Sequence, residues 1–278
     1  MATRKTSNSK AVANWDAELA AQAEIAAGME ANTGGGSFFS TRGGTLSWQD
    51  SPLPDNEMAV IILDHIFETV YYEGRYDPDV PQSPVAFAFG REESELRWHE
   101  NSDPEFAGQL CSESEVCEWG SADTGRGKAA RETRRLAMIP AGQFNRDGTF
   151  ELFEDPDHYA KTEIGFMKLP VTSVKGFASF VKQVAGALKR PPFGVVARVA
   201  VVPDAKTQFK VTFEALEKVP DDLIGTIMER REEAMAAIDF PYTREETEEA
   251  PAPRSRAAKK PAGRKTAAAK KPARSRKY

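Results

Sequence analysis

Apolar and polar positions along this chain follow two rhythms. In the first 36 residues Val12, Trp15, Leu19, Ala23, Ala26 and Met29 recur every three or four positions, the period of a helix with one buried stripe. Half of that stripe is small or terminal, so a helix over residues 12–29 packs only lightly, and Asn32-Thr33-Gly34-Gly35-Gly36 ends it. From Phe38 onward the pattern becomes that of strands. Phe38, Phe39, Leu46 and Trp48 flank Arg42-Gly43-Gly44, a hairpin turn. Met58 to about Tyr72 reads as a long strand bent near Asp64, Tyr76-Asp77-Pro78 turns the chain, and Val85–Phe89 reads as a second, short strand.

Residues 91–130 are polar and irregular, a gap whose length implies a role or a lack of order. Strand character resumes at Leu136–Ile139 and again at Ile164–Leu169. Ser173 is expected to cap a helix whose stripe is Val174, Phe177, Val181, Val184 and Leu188, stopped by Pro191-Pro192. Val195–Val202 is β-branched and apolar, and Phe209, Val211 and Phe213 alternate with Lys210, Thr212 and Glu214 as in a half-exposed strand. Asp221-Asp222 open a last helix running to about Ile238. Strands first, a helix inserted late, two more strands and a final helix predict a β-rich α+β fold, a small barrel or curved antiparallel sheet.

Charge changes the picture at the C-terminus. Residues 251–278 carry 11 Lys and Arg and no acidic residue; removing them from the formal net charge of −5 leaves −16 on residues 1–250. This Lys/Arg/Ala/Pro tail has almost no apolar side chain larger than Ala, so it cannot offset its chain entropy and is expected to be disordered. The acidic hinge Glu245-Glu246-Thr247-Glu248-Glu249 precedes it. Three segments follow: an N-terminal arm and helix (1–36), a core (37–240), and the hinge with its tail (241–278).

The tail suits a polyanion. Its cations, among them Lys259, Lys260, Arg264, Lys265, Lys270 and Lys271, can neutralise phosphates and release counterions without reading sequence, which suits single-stranded DNA and also duplex DNA or RNA. A solubilising appendage, or an arm folding back on the acidic body, is the plainer reading. A second cationic run, Arg126, Lys128, Arg131, Arg134 and Arg135, follows the glycines Gly125 and Gly127, whose exposed backbone can approach phosphates. It lacks the spacing of a phosphate-binding P-loop. Aromatic side chains interleave with cations: Tyr71, Tyr72 and Tyr76 beside Arg75, and Phe38, Phe39 and Trp48 around Arg42. Single-strand binders combine ring faces with cations in this way, although core packing accounts for many Phe.

Cys111 and Cys117 lie six apart, with His99 upstream; zinc ribbons use closer pairs and four ligands, so these thiols are weak metal candidates and no cofactor is expected. His65, His99 and His158 form no partner pattern, and there is no nucleophile elbow or dinucleotide fingerprint, so no enzyme is expected. No apolar run approaches the ~20 residues of a membrane span. The basic N-terminus has no apolar signal core behind it, so the expected location is the cytoplasm.

Two stretches resemble a group of bacteriophage single-stranded DNA-binding proteins with an OB-like core. One is Gly74-Arg75-Tyr76-Asp77-Pro78 with Pro84-Val85-Ala86-Phe87-Ala88-Phe89, leading into Cys117-Glu118-Trp119-Gly120-Ser121 and Gly125-Arg126-Gly127-Lys128-Ala129. The other runs from Leu169-Pro170-Val171-Thr172-Ser173 through Pro192-Phe193-Gly194-Val195-Val196 to Phe213-Glu214. The resemblance spans roughly residues 37–218. It implies an OB-like core, sequence-independent single-strand protection in phage replication or recombination, replication or recombination proteins as partners, and the host cytoplasm. Such proteins carry further cysteines near Ala86 and Ala130, a set that with Cys111 and Cys117 could hold zinc; here those positions are alanine. They also commonly end in an acidic tail, whereas here a cationic arm comes last. The alternatives are a duplex-binding architectural or transcription-associated phage protein and, behind it, a metal-dependent nuclease built on scattered carboxylates.

Overall fold

The computed structural model describes residues 38–49, 51–74, 83–123 and 126–242. The expected N-terminal helix, Arg75, Tyr76, Gly125, the acidic hinge and the basic tail lie outside the described residues.

The centre of the fold is β4 (Glu57–Tyr71). Its sequence is nearly all apolar from Met58 to Leu63 because both of its faces are covered. Val60 and Ile62 enter one core, and Ala59, Ile61 and Leu63 enter the other. The strand pairs with β6 (Arg131–Phe144) along one edge, and with β9 (Val195–Asp204) and β5 (Ala86–Gly90) in turn along the other. The bend expected near Asp64 is a register shift between Ile62 and Asp64. There the Asp64 carboxylate is buried and accepts two bonds from Arg91, at 3.0 and 2.6 Å, which tie the end of β5 to the bend.

The mostly antiparallel open sheet continues through β8 (Gly165–Leu169), β1 (Phe38–Ser40), β2 (Ser47–Trp48) and β3 (Ser51–Pro52), with β10 (Gln208–Lys218) at the other end and β7 (Phe150–Leu152) on β6. The hairpin expected around Arg42 is present, pairing Phe39 with Trp48. Its turn reaches β9 and β10, and Leu46 is fully buried in the first core. The sheet therefore coils around that core.

Helix α2 (Val171–Gln183) fills the first core with Phe177 and Phe180, and Val184 follows from the turn after it; of the predicted stripe, Phe177 and Val184 are buried there and Val174, Val181 and Leu188 pack against them. Ser173 is not its cap. Pro170 holds that position, and the Ser173 hydroxyl accepts 2.8 Å from the Val211 amide, fastening helix to β10. On the opposite face, α3 (Ile224–Ala237) and the short α1 (Pro156–Lys161) cover Ile61, Ala137, Ile139 and Val196. Among the described residues of 91–130 the elements are short 3-10 turns and an isolated bridge between Arg97 and Leu110, held by their own cluster of Leu96, Trp98, Phe106 and Cys111 with Ala86 and Ala130. No described helix is long and apolar enough to cross a membrane.

Candidate nucleic-acid interface

Helix α3 packs Ile227 and Ala234 into the second core, on the sheet face that carries Ala137 and Ile139 of β6. Arg131 opens β6 opposite Val70, and Lys168 on β8 pairs with Arg135. Strand alternation puts Arg131, Arg135 and Lys168 on the face opposite the first core. Arg131 is exposed with its guanidinium 5.8 Å from the Tyr72 ring centre, and the Lys168 ammonium is 5.6 Å from the same ring. Tyr72, Arg131 and Lys168 thus make one surface of a ring and two cations.

The C-terminal strap after α3 borders this surface. Arg135 donates to the carbonyls of Ile238 and Phe240 at 2.9 and 2.7 Å, and to Glu68 at 2.6 Å. Its guanidinium lies 4.1 Å from the Phe240 ring and 4.6 Å from Phe89. The Tyr242 hydroxyl donates to Glu68 at 2.7 Å and accepts from Lys168 at 2.8 Å. Burial, then the Glu68 carboxylate, push that hydroxyl far above its ordinary value. Desolvation pushes the Lys168 amine down, with Glu68 opposing and Arg135 and Arg131 assisting, even though the residue as a whole is exposed.

This arrangement corrects several expectations. Arg135 does not line a bound strand: it is 3% exposed and paired with a buried carboxylate, as a charge inside a fold must be. Arg134 points to the other face, its guanidinium 3.8 Å from the Phe67 ring and 3.9 Å from Glu93. Lys128 is bonded to Glu132 at 2.5 Å. It lines a cavity of about 640 Å³ with Glu92, Glu93 and Glu132, whose carboxylates outnumber it and repel a phosphate chain. Tyr71 turns its ring onto Phe106, 5.6 Å between centres. Trp48 lies 4.0 Å from Phe39, and a Cβ at Gly165 would sit 2.0 Å from its ring, so Trp48 locks β2 over β8 rather than offering a free face. Arg42 is exposed in its turn beside β9 and β10, and Arg126 is exposed but engaged within the protein. Arg75, Tyr76, Lys259, Lys260, Arg264, Lys265, Lys270 and Lys271 lie outside the described residues.

Lys168 and Tyr242 are not among the residues that the sequence singles out, and the 82%-exposed Trp119 enters there only as part of the resemblance. Lys168 had a signal, as the lone charge in the strand Gly165–Leu169. Tyr242 had none, because only the strap's path makes it relevant.

The two thiols are free and protonated at neutral pH. Burial pushes Cys111 up to about 12 and Cys117 up to about 11, unfavourable for metal ligation or nucleophilic attack. Ala86 and Ala130 share the buried cluster with Cys111, and Cys117 packs against it, so apolar contact holds the insertion. No three His, Cys, Asp or Glu side chains gather as a metal site among the described residues. The histidines are used in packing: His65 lies 5.1 Å from Phe177, His99 lies 4.9 Å from Phe87, and His158 bonds the Pro140 carbonyl at 3.0 Å. No family model matches the chain, and no curated protein or solved structure matches it either.

Proposed function

We propose that this is a non-catalytic, sequence-independent single-stranded DNA-binding protein of the bacteriophage type, with an OB-like core. The strand order β10-β9-β4-β6-β8 supports the OB reading, with a bulged first strand, a helix between the third and fourth strands, and a closing hairpin. OB folds bind oligonucleotides on the face of strands two and three, between the first and last interstrand loops. The corresponding strands here are β6 and β8. The observation that carries the proposal is the half-buried Tyr72 ring, just past the end of β4, beside the exposed Arg131 of β6 and Lys168 of β8. A ring that accepts any base beside cations that hold phosphates binds a single strand without reading it. The 11 cations of residues 251–278 add capture at long range and raise the on-rate.

The same tail favours a second reading, a duplex-binding architectural protein, because free cations neutralise either form of DNA. A gel shift with single- and double-stranded DNA of equal length, with and without residues 251–278, separates the two. The expected result is a single-strand preference that survives tail deletion, while affinity falls and its salt dependence flattens. Equal affinity for both forms selects the duplex reader. No binding at low salt selects an interaction protein. Mg²⁺- or Mn²⁺-dependent loss of the oligonucleotide selects a nuclease.

A further inference from the structure

The strap after α3 lies on the same sheet face as the Tyr72 surface. Phe39 enters the first core, so strand alternation puts Phe38 on the opposite face, paired with Phe166 of β8. Phe166 and Lys168 stand two residues apart on β8 and share that face. A row therefore runs from Phe38 through Phe166 and Lys168 to Tyr72 and Arg131. The strap covers part of it. The Phe240 ring is 5.4 Å from Phe38 and 5.2 Å from Phe166, edge-on to both. The Tyr242 ring is 5.1 Å from the Lys168 ammonium, which also donates to the Tyr242 hydroxyl at 2.8 Å. Lys168 is thus divided between Tyr72 and Tyr242.

The strap has one firm end. Ile238 is buried in the second core, and its amide donates to the Ala234 carbonyl at 2.9 Å. Beyond it, among the described residues, no main-chain hydrogen bond joins 239–242 to the rest of the backbone. Side chains hold this stretch instead. Arg135 donates to the Phe240 carbonyl at 2.7 Å, Tyr242 bonds Glu68 and Lys168, and the two strap rings pack on Phe38, Phe166 and Phe87. Segments with so few main-chain bonds open at the low end of local stability. Lifting the strap beyond Ile238 leaves Arg135 bonded to the Ile238 carbonyl and to Glu68. It uncovers Phe38, Phe166 and the Lys168 ammonium. The strap gives these groups a ring against a ring and an oxygen on a cation, the two contacts that a base and a phosphate give.

We propose that Asp239–Tyr242 occupies part of the single-strand path, and that a bound strand displaces it. Phe240 gives way to bases on Phe38 and Phe166, and Tyr242 gives way to a phosphate at Lys168. This rests on the single-strand reading of the Tyr72 surface and adds a regulatory contact to it. Binding is then coupled to opening, because a site uncovered in only a fraction of molecules binds more weakly by that fraction.

The test is the affinity of the full chain for a fluorescent oligothymidylate at low salt. Phe240→Ala combined with Tyr242→Ala should bind about tenfold tighter, the gain expected from a strap open in about one molecule in ten. Tyr242→Phe loses only the hydroxyl's bonds and should gain about threefold. Unchanged or weaker binding by the double variant overturns the inference and leaves the single-strand reading standing. Absence of binding by both the natural chain and the variants overturns that reading, and the inference with it. A second measurement needs no substitution: chymotryptic cleavage after Tyr242 in the natural chain should quicken when the oligothymidylate saturates it. Equal or slower cleavage overturns displacement of the strap.

Discussion

The coiled sheet and the insertion between β5 and β6 solve the problem of burial in opposite ways. The sheet packs two extended cores, one on each face, and can carry a charged pair inside: Arg135 and Glu68 are 3% and 0% exposed at the side chain. The insertion has one small apolar cluster built around Trp98 and leaves nearly all of its charges outside. A charge's position in sequence therefore says little about its role. Arg131 and Arg135 lie on one face of one strand, yet Arg131 is exposed beside Tyr72 and Arg135 fastens the strap. What separates them is the backbone of Ile238–Phe240, 103 positions away at its nearest bond.

The sharpest way to break the contrast is Arg135→Ala. Among the described residues it removes the one cation that hydrogen-bonds Glu68 and leaves that buried carboxylate with the Tyr242 hydroxyl in place of an ion pair. A loss of about 3–5 kcal/mol in unfolding free energy is expected, read from denaturant melts. Replacing both partners, Arg135→Met with Glu68→Leu, should recover most of it. A fully stable Arg135→Ala variant would mean that the strap's carbonyl bonds and the ion pair contribute nothing.

The matching cut in the insertion is Trp98→Ala. Trp98 is 1% exposed and central to its cluster, so truncation should cost about 3 kcal/mol, chiefly in local opening. Limited proteolysis should then cut within residues 91–130 while the sheet survives. Simultaneous loss of both regions would show one cooperative unit.

Alkaline pH probes the same cluster with a smaller effect. An unfolded thiol ionises near ~8.5, whereas Cys111 is held to about 12 and Cys117 to about 11 by burial. The folded protein keeps protons that the unfolded chain has released, so stability is complete below that lower value and falls as pH rises through the interval. Denaturant midpoints at about pH 8 and about pH 10 should separate for the natural chain and separate less for Cys111→Ala. Equal separations would mean that the buried thiol does not contribute.

The strands were legible because each long one announces itself by what covers it. Phe209, Val211 and Phe213 alternate over one core, and Met58–Leu63 runs unbroken between two. The hairpin at Arg42 and the bend at Asp64 were legible from local chemistry. The short β7 and α1, over residues 150–161, carry too few periodic positions to declare themselves. The candidate site was legible only as a composition of rings and cations. Which of them meet depends on register, as when β8 brings Lys168 beside Arg135, and on the strap. Trp48 and Tyr71 have the same residue chemistry as Tyr72, and only packing against Phe39 and Phe106 takes them out of use.

The smallest stability effects should come with the clearest functional ones, at Arg131 and Lys168. Arg131 is exposed and has no ion pair among the described residues, so Arg131→Ala should shift stability by no more than about 0.5 kcal/mol. Lys168→Ala also loses the bond to Tyr242, which adds about 1 kcal/mol at most. Each substitution removes one cation from the proposed strand path. The log–log slope of oligonucleotide affinity against salt should therefore become shallower by about 0.7 per cation, equally for every base composition. Arg134→Ala, whose guanidinium faces Phe67 and Glu93 on the other side, supplies the contrast and should leave the slope alone. If Arg134→Ala flattened the slope and Arg131→Ala did not, the binding face would be the inner-pointing side of β6, and the Tyr72 surface would lose its role.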